Sequence, residues 1–346
     1  MSDLILDRPP TGPVSYQHLF RLSDHGGLYE HARLAEPRPE HGYCIDDIAR
    51  GLVVLAREPN PDDQLRELAE FYLWLVTDAQ SADGRFHNRR DLHLTWTDQP
   101  SLEDCWGRAL WGLGTAARRL DADSSALALM HFDRSVERRS PDLRAMAFAA
   151  LGAAEVLVGW PDHLGARGVL ADAAEQIMTE TDWAGPWPWP EPRLRYANAT
   201  VPEVLLAAGN LLGDDCARAA GLRMLDWLLE METADGHLSI TPVGGWGPGD
   251  PRPGFDQQPI EVAALADACA RAFETTGASR WADGLVMCEA WFLGANDTGV
   301  SLLDAITGGG CDGLMLHGRN ENQGAESTLA LIATFQRAQE LRTTRW

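Results

Sequence analysis

Along most of this chain apolar residues recur every three or four positions, the spacing that lines one face of an α-helix. Residues 64–77, 143–158, 204–212, 260–273 and 327–341 carry it most clearly, in stretches rich in Ala, Leu and Glu. Strand-like alternation is scarce. Residues 92–96 and 238–241 are long enough for short hairpin pieces only. The pattern predicts an all-α protein.

The helical stretches come in two kinds. One is small-residue-rich and apolar around most of its circumference: residues 48–55, 106–117, 145–158, 205–212, 262–272 and 328–338. Such helices belong inside. Between them lie helices with a wetter face, at residues 64–79, 166–179, 216–231 and 280–294. The inner kind begins near residues 47, 104, 143, 203, 261 and 326, a quasi-period of about 40–60 residues. Six hairpins at that period predict an (α/α)6 toroid of six inner and six outer helices, with the twelfth helix supplied by residues 14–21. An open solenoid is the alternative. No linker-like stretch interrupts the chain, so residues 1–346 are expected to form a single domain.

Five of the six inner helices begin with acids: Asp46 and Asp47, Glu103 and Asp104, Glu203, Glu261, and Glu326. Carboxylates in a first turn are stabilised by unpaired N–H groups and the helix dipole, so capping accounts for any one of them. In a toroid, however, the inner N-termini converge on one mouth. Carboxylates gathered there repel one another and shift in pKa, the condition for a general acid beside a general base. Neighbours on a helix do not share a face. One member of each adjacent pair is therefore expected to cap and the other to point into the mouth.

The loops before these helices carry Trp96, Trp183, Trp187, Trp189, Trp246 and Tyr196. Half-exposed aromatic rings near carboxylates suit the apolar faces of sugar rings. The same loops offer His87, Asn88, Asn198, Gln257, Gln258, His317 and Asn322 as hydroxyl partners. Packing between loops is the plainer use for any one ring. Together they predict a mouth for an oligosaccharide substrate, with Asp46 and Glu203 also binding hydroxyls.

Composition narrows the chemistry. The 346 residues hold 51 acidic side chains against 29 basic ones, a net charge of −22. Nucleic acid and anionic membrane are poor partners for such a chain. All 29 basic residues are arginine, which excludes Schiff-base and P-loop lysine chemistry. No apolar run reaches about 18 residues, and residues 1–13 show no export signal, so a cytoplasmic location is expected. Cys44, Cys105 and Cys311 lie in mouth motifs near His41 and His317, a chemistry zinc could use. With no CxxC pair, buried reduced thiols are the expectation, and neither metal nor cofactor is assigned.

The strings HGYCIDDIARGL, GRFHNRRD, LEDCWGRALWGLG, WPWPEPRLRYANATVPEVLLAAG, FDQQPIEVAAL and NENQGAESTLALI resemble a bacterial and archaeal family. Its members occur alone or fused behind glycosyltransferase domains. The resemblance spans residues 24–338 and implies the toroid and a role in glycan metabolism. Where the family usually has Tyr-Asp-Asn, this chain has Tyr196-Ala197-Asn198. More distantly, Asp46-Asp47 is similar to the adjacent aspartates of (α/α)6 endo-α-mannanases, where the pair is nucleophile and acid/base.

These features predict a glycoside hydrolase, with Asp47 and Glu103 or Asp104 on one side of the bond and Glu261 or Glu326 on the other. Two alternatives stand beside it. One is a sugar epimerase or isomerase, which would call on histidines. The other is a non-catalytic glycan-binding partner of a glycosyltransferase. Oligomeric state is unassigned.

Overall fold

Twelve α-helices account for most of residues 14–344, the part of the chain that this computed structural model describes. They are α1 (Gln17–Leu22), α2 (Ile45–Arg57), α3 (Asp63–Asp78), α4 (Asp104–Arg119), α5 (Ala122–Ser135) and α6 (Leu143–Gly159). The second half holds α7 (Leu164–Glu180), α8 (Thr200–Leu211), α9 (Asp215–Met231), α10 (Pro259–Thr276), α11 (Ser279–Phe292) and α12 (Ala325–Thr344). The reading of residues 1–13 lies outside the described residues.

The even-numbered helices form a closed ring. Helix α2 packs on α4, α4 on α6, α6 on α8, α8 on α10, α10 on α12, and α12 back on α2. That last contact rules out the open solenoid. Helices α3, α5, α7, α9 and α11 each lie against the inner helix that precedes them, and α1 completes the outer layer against α12.

The burial of each layer follows its sequence. In α6 every residue from Leu143 to Leu157 is buried. In α7 only Ala166, Val169, Leu170, Ala173, Ala174 and Ile177 are, one stripe at three- and four-residue spacing. Each buried Leu, Ile or Val contributes about 1.5–3 kcal/mol against exposure.

The seam between α4 and α6 depends on glycine. A Cβ added at Gly114 would lie 2.1 Å from the carbonyl oxygen of Gly152, and one at Gly152 would lie 2.2 Å from that of Leu110. The two backbones approach as closely as they do because neither position carries a side chain.

Short antiparallel hairpins brace the loops. Tyr43–Cys44 pairs with Arg89–Arg90, which ties the start of α2 to the loop after α3. Gly313–Met315 pairs with Gly318–Asn320, and Leu314 also bridges to Gln257 before α10. Of the two predicted hairpin pieces, residues 92–96 form a turn closed by an Arg90–Trp96 bridge. Of the second region only Leu238 is strand, paired with Thr233 in the two-residue strand His237–Leu238.

Candidate active site

Side-chain capping is uneven between the layers. The outer helices α3, α5 and α9 are capped by Asp62, Asp121 and Asp214, whose side chains accept the first-turn N–H groups. The inner helices α2, α4, α8 and α10 have no side-chain cap of their own. Asp142, before the one inner helix without a first-turn acid, does cap α6. Cys44 and Glu103 occupy the N-cap positions of α2 and α4. Neither acid of the Asp46–Asp47 pair caps, then, and of the second pair Glu103 holds the cap position without a capping bond.

Other loops satisfy those helix starts. Asn88 accepts the N–H of Ile45 on its carbonyl (2.9 Å) and that of Asp46 on Oδ1 (3.1 Å), while its Nδ2 donates to Asp46 Oδ2 (3.2 Å). Glu261 of α10 accepts the N–H groups of Ala197 and Asn198 before α8, and Asn198 Nδ2 at 2.9 Å.

A polar cavity of about 350 Å³ opens at the ring's N-terminal end, between α2 and α12. Its wall includes Asp46, Asp47, Arg50, Glu326, Asp312, Glu30, His31 and Gln258. Arg50 holds its centre. One of its guanidinium nitrogens donates to Asp47 Oδ1, and the other donates to Glu326 Oε2 at 2.8 Å.

The two carboxyls respond in opposite directions. Asp47 is 2% exposed, and burial pushes its carboxyl up to about 7, with Arg50 pulling against that and Glu326 adding to it. At Glu326 burial also raises the pKa, but Arg50 and Arg108 outweigh it and hold the carboxyl below its ordinary value. Asp104 is raised by burial, against Arg108 and a hydrogen bond from Tyr196. The Tyr196 hydroxyl donates to Asp104 Oδ2 at 2.8 Å, and Arg108 reaches the same oxygen at 3.2 Å.

Two further spaces meet this cavity at Glu326. Below it is a narrow apolar recess of about 40 Å³ walled by Trp111, Phe148 and Leu329. Beside it is a cavity of about 480 Å³ bounded by Arg193, Arg195, Tyr196 and residues 243–245, sharing Gln258 and Glu326 with the first.

The structure therefore brings Asp46, Asp47, Glu326 and Gln258 to one cavity, with Tyr196 and Asp104 at its side. Other site residues expected from the sequence lie elsewhere. Glu103 is exposed at the start of α4 and lines none of these spaces. Glu203 is buried in the recess and bonded to Arg271 Nε at 3.0 Å. Glu261 is 3% exposed, a strut between α10 and α8.

Asn198 and Gln257 are fully buried, with polar groups taken by Glu261 and Arg144 in one case, by Asp297 and Trp291 in the other. Trp187 donates to the Glu191 carbonyl and packs edge-on against Trp227. His87 stacks on Trp96 and bonds to Asp98. Asn322 accepts the Leu34 N–H at 2.9 Å, and His317 is exposed on a hairpin turn. Ala197 is 1% exposed at φ 47°, in the turn into α8, and position 197 lines the recess and not the polar cavity.

Sequence reasoning about the acids passed over Arg50, Arg108, Glu30, His31 and Asp312. Two carried a visible signal. Arg50 follows Asp46 by four residues and Arg108 follows Asp104 by four, the helical ion-pair spacing.

Among the described residues, one group of three could offer ligand atoms to a metal: Glu30, Cys44 and Asp47, within 4.8 Å of one another. Both carboxylates already bind guanidinium groups, Glu30 that of Arg89 and Asp47 that of Arg50. Burial and the nearby aspartates push the Cys44 thiol up, against the thiolate that a metal requires. This donor set suits an ion-pair network better than a metal. Cys105 and Cys311 do not join it.

No protein-family model and no curated protein matches the sequence. Solved structures do match the fold. The chain is similar to a sugar epimerase from a ruminal bacterium, with TM-score 0.71 and 11% identity over 94% of this chain and 95% of that one. It is similar to cellobiose 2-epimerase from Spirochaeta thermophila, with TM-score 0.66 and 12% identity over 95% and 93%. The cellulase Cel9M of C. cellulolyticum matches with TM-score 0.60 and 8% identity over 91% and 87%. At such identities the likeness is one of architecture: the chain is a closed (α/α)6 toroid.

Proposed function

We propose that this chain is a sugar-processing enzyme, a glycosidase whose general acid is Asp47 and whose base or nucleophile is Glu326. One observation carries the reading: two carboxyls on one cavity wall, joined through Arg50, with pKa values pushed apart. A carboxyl raised to about 7 holds a proton near neutrality for the glycosidic oxygen. A carboxylate held below its ordinary value stays ionised to attack the anomeric carbon or to activate water. Arg50 serves both states. It keeps Glu326 charged, and it stabilises the Asp47 carboxylate once its proton has left. One guanidinium bonded to both holds the two carboxyls side by side on the cavity wall.

In this reading Asp46, Gln258 and Asp104 hold hydroxyls, Tyr196 offers a ring face, and residues 1–346 act as one catalytic domain. The likeness to sugar epimerases and a cellulase supports a sugar substrate.

Epimerisation is a second reading, favoured by His31 on the cavity wall, 3.6 Å from Glu30 and edge-on to His41 at 4.8 Å. One experiment separates the two. Oligosaccharides, mannosides and glucosides first, are incubated with the protein in D2O and followed by NMR. A glycosidase gives new reducing ends, lost in Asp47→Asn. An epimerase gives deuterium at C2 of an uncleaved sugar, lost in His31→Asn. Full cleavage by Asp47→Asn overturns the assignment of Asp47, and saturable binding without turnover by the wild type assigns the cavity to recognition alone.

A further inference from the structure

The cavity beside Tyr196 has a wall of a different charge. Residues 193–195 run along it, with Leu194 paired to Trp246 in an isolated antiparallel bridge. Leu194 points inward and is fully buried, while Arg193 and Arg195 are exposed and line the cavity together. The backbone beneath them is fixed. Leu194 exchanges hydrogen bonds with Trp246 (2.7 and 3.2 Å), and Arg195 is held at its N–H and its carbonyl by Asn198 (2.9 and 3.4 Å).

The guanidinium groups retain donors to spend. Arg193 meets Asp250 at 2.7 Å through one nitrogen. The carboxylate near Arg195 is Glu191, 3.8 Å away and already paired with Arg144 at 2.9 Å. Acidic residues outnumber arginines 51 to 29, so this looseness is not for want of carboxylates. Beside them, on the segment that pairs with Leu194, Gly244 and Gly245 present backbone without side chains; a Cβ at Gly244 would meet nothing within 4 Å, whereas one at Gly245 would lie 2.5 Å from the Leu194 carbonyl oxygen. At Gln258 and Glu326 the space runs into the cavity that holds Asp47.

We propose that this second cavity is a subsite for an anionic saccharide group, a uronate carboxylate or a sugar phosphate, bound by Arg193 and Arg195. The inference rests on the sugar-processing reading of the adjoining cavity and adds the substrate's charge class. A planar guanidinium presents a fork of donors that fits a carboxylate or phosphate and is poorly used by a neutral hydroxyl. The molecule's net charge of −22 does not forbid an anion here. Charges beyond about 8 Å are largely screened at physiological salt, so the groups at the cavity decide: the free donors of Arg193 and Arg195, set against Asp250, Glu191 and Glu326.

Calorimetric titration with cellobiose, cellobiouronic acid and glucose 6-phosphate tests it. The expected result is tighter binding of at least one anionic sugar than of cellobiose. Arg195→Gln should cut that preference about tenfold, the scale of one lost hydrogen bond to a charged group, and Arg195→Lys should keep part of it. Which anion is preferred names the source of the charge. Arg195→Gln makes few new demands on folding, since the side chain is 61% exposed; an unchanged melting temperature certifies the comparison. Cellobiose bound as tightly as both anions, or a preference untouched in Arg195→Gln, overturns the proposal and leaves the sugar site standing. Binding of none of the three overturns both.

Discussion

Asp47 and Arg50 stand on α2 and Glu326 on α12, so the three meet across the seam where the ring closes. Their chemistry fixes the expected pH dependence. In the proposed mechanism, activity requires Asp47 protonated and Glu326 ionised. The rate should fall on the alkaline side near pH 7, where Asp47 loses its proton, and on the acid side below the ordinary glutamate range. Asp47→Asn should lower kcat by about 10²–10⁴ at every pH. Arg50→Gln removes the cation that lowers both carboxyls, so both limbs should move to higher pH in a kcat/KM profile. The same change leaves Asp47 buried and protonated without its partner, and should cost about 1–3 kcal/mol in a denaturant melt. The arginine was legible four residues after Asp46; the depth of each acid was not. Glu203 falls in the first turn of α8 and Glu261 in that of α10, as Asp47 does in α2. Only the placement of the turns before α8 and α10 turns those two inward, onto Arg271 and onto the backbone of residues 197–198.

At the scale of helices the sequence pattern was a close guide, because burial on all sides and burial on one stripe leave different periodicities. The six inner starts read near 47, 104, 143, 203, 261 and 326 fall within three residues of the observed helix starts at 45, 104, 143, 200, 259 and 325. Helix α5 left a weaker trace. Leu127 and Met130 are exposed on it, so its apolar residues do not mark one buried stripe. The closeness of α4 to α6 had no periodic signal; it depends on single glycines. Gly114→Ala sets a methyl 2.1 Å from the Gly152 carbonyl oxygen, deep between two inner helices that cannot separate without disturbing the ring. We expect a loss of about 1–3 kcal/mol, read as a lower melting temperature. Gly159→Ala, where a Cβ meets nothing within 4 Å, should leave the melting temperature close to that of the wild type.

Below the mouth the ring is bound together by charge, and all six inner helices contribute: Arg57, Arg118 with Arg119, Glu155, Glu203, Asp267 with Arg271, and Arg337. Asp267 bonds to Arg57 at 2.9 Å and to Arg337 at 2.6 Å, and Glu155 to Arg118 at 2.7 Å. At Glu155 burial raises the pKa, but Arg57, Arg118 and Arg119 outweigh it and bring the carboxyl down to about 2. A carboxyl lowered in the folded state gives stability that is complete above its unfolded value, 4.5, and lost as pH falls toward 2. Asp47 works in the opposite sense. Raised from 3.8 to about 7, it favours the folded state most below 3.8 and progressively less as pH rises to 7. Glu261, raised by burial and by Glu232 behind it, adds to that alkaline loss. Floor and mouth therefore titrate against each other, and the melting temperature should peak on the acidic side, near pH 4, and fall in both directions. Two variants separate the contributions in melts from pH 3 to 8. Asp47→Asn should flatten the decline between pH 5 and 8, because asparagine has no proton to lose. Glu155→Gln should flatten the acid limb while lowering stability at pH 7, where its carboxylate holds three arginines together. A melting temperature constant from pH 5 to 8 in the wild type would show that the buried acids of the mouth are ionised in the folded protein, and Asp47 would then have no proton to give at neutral pH.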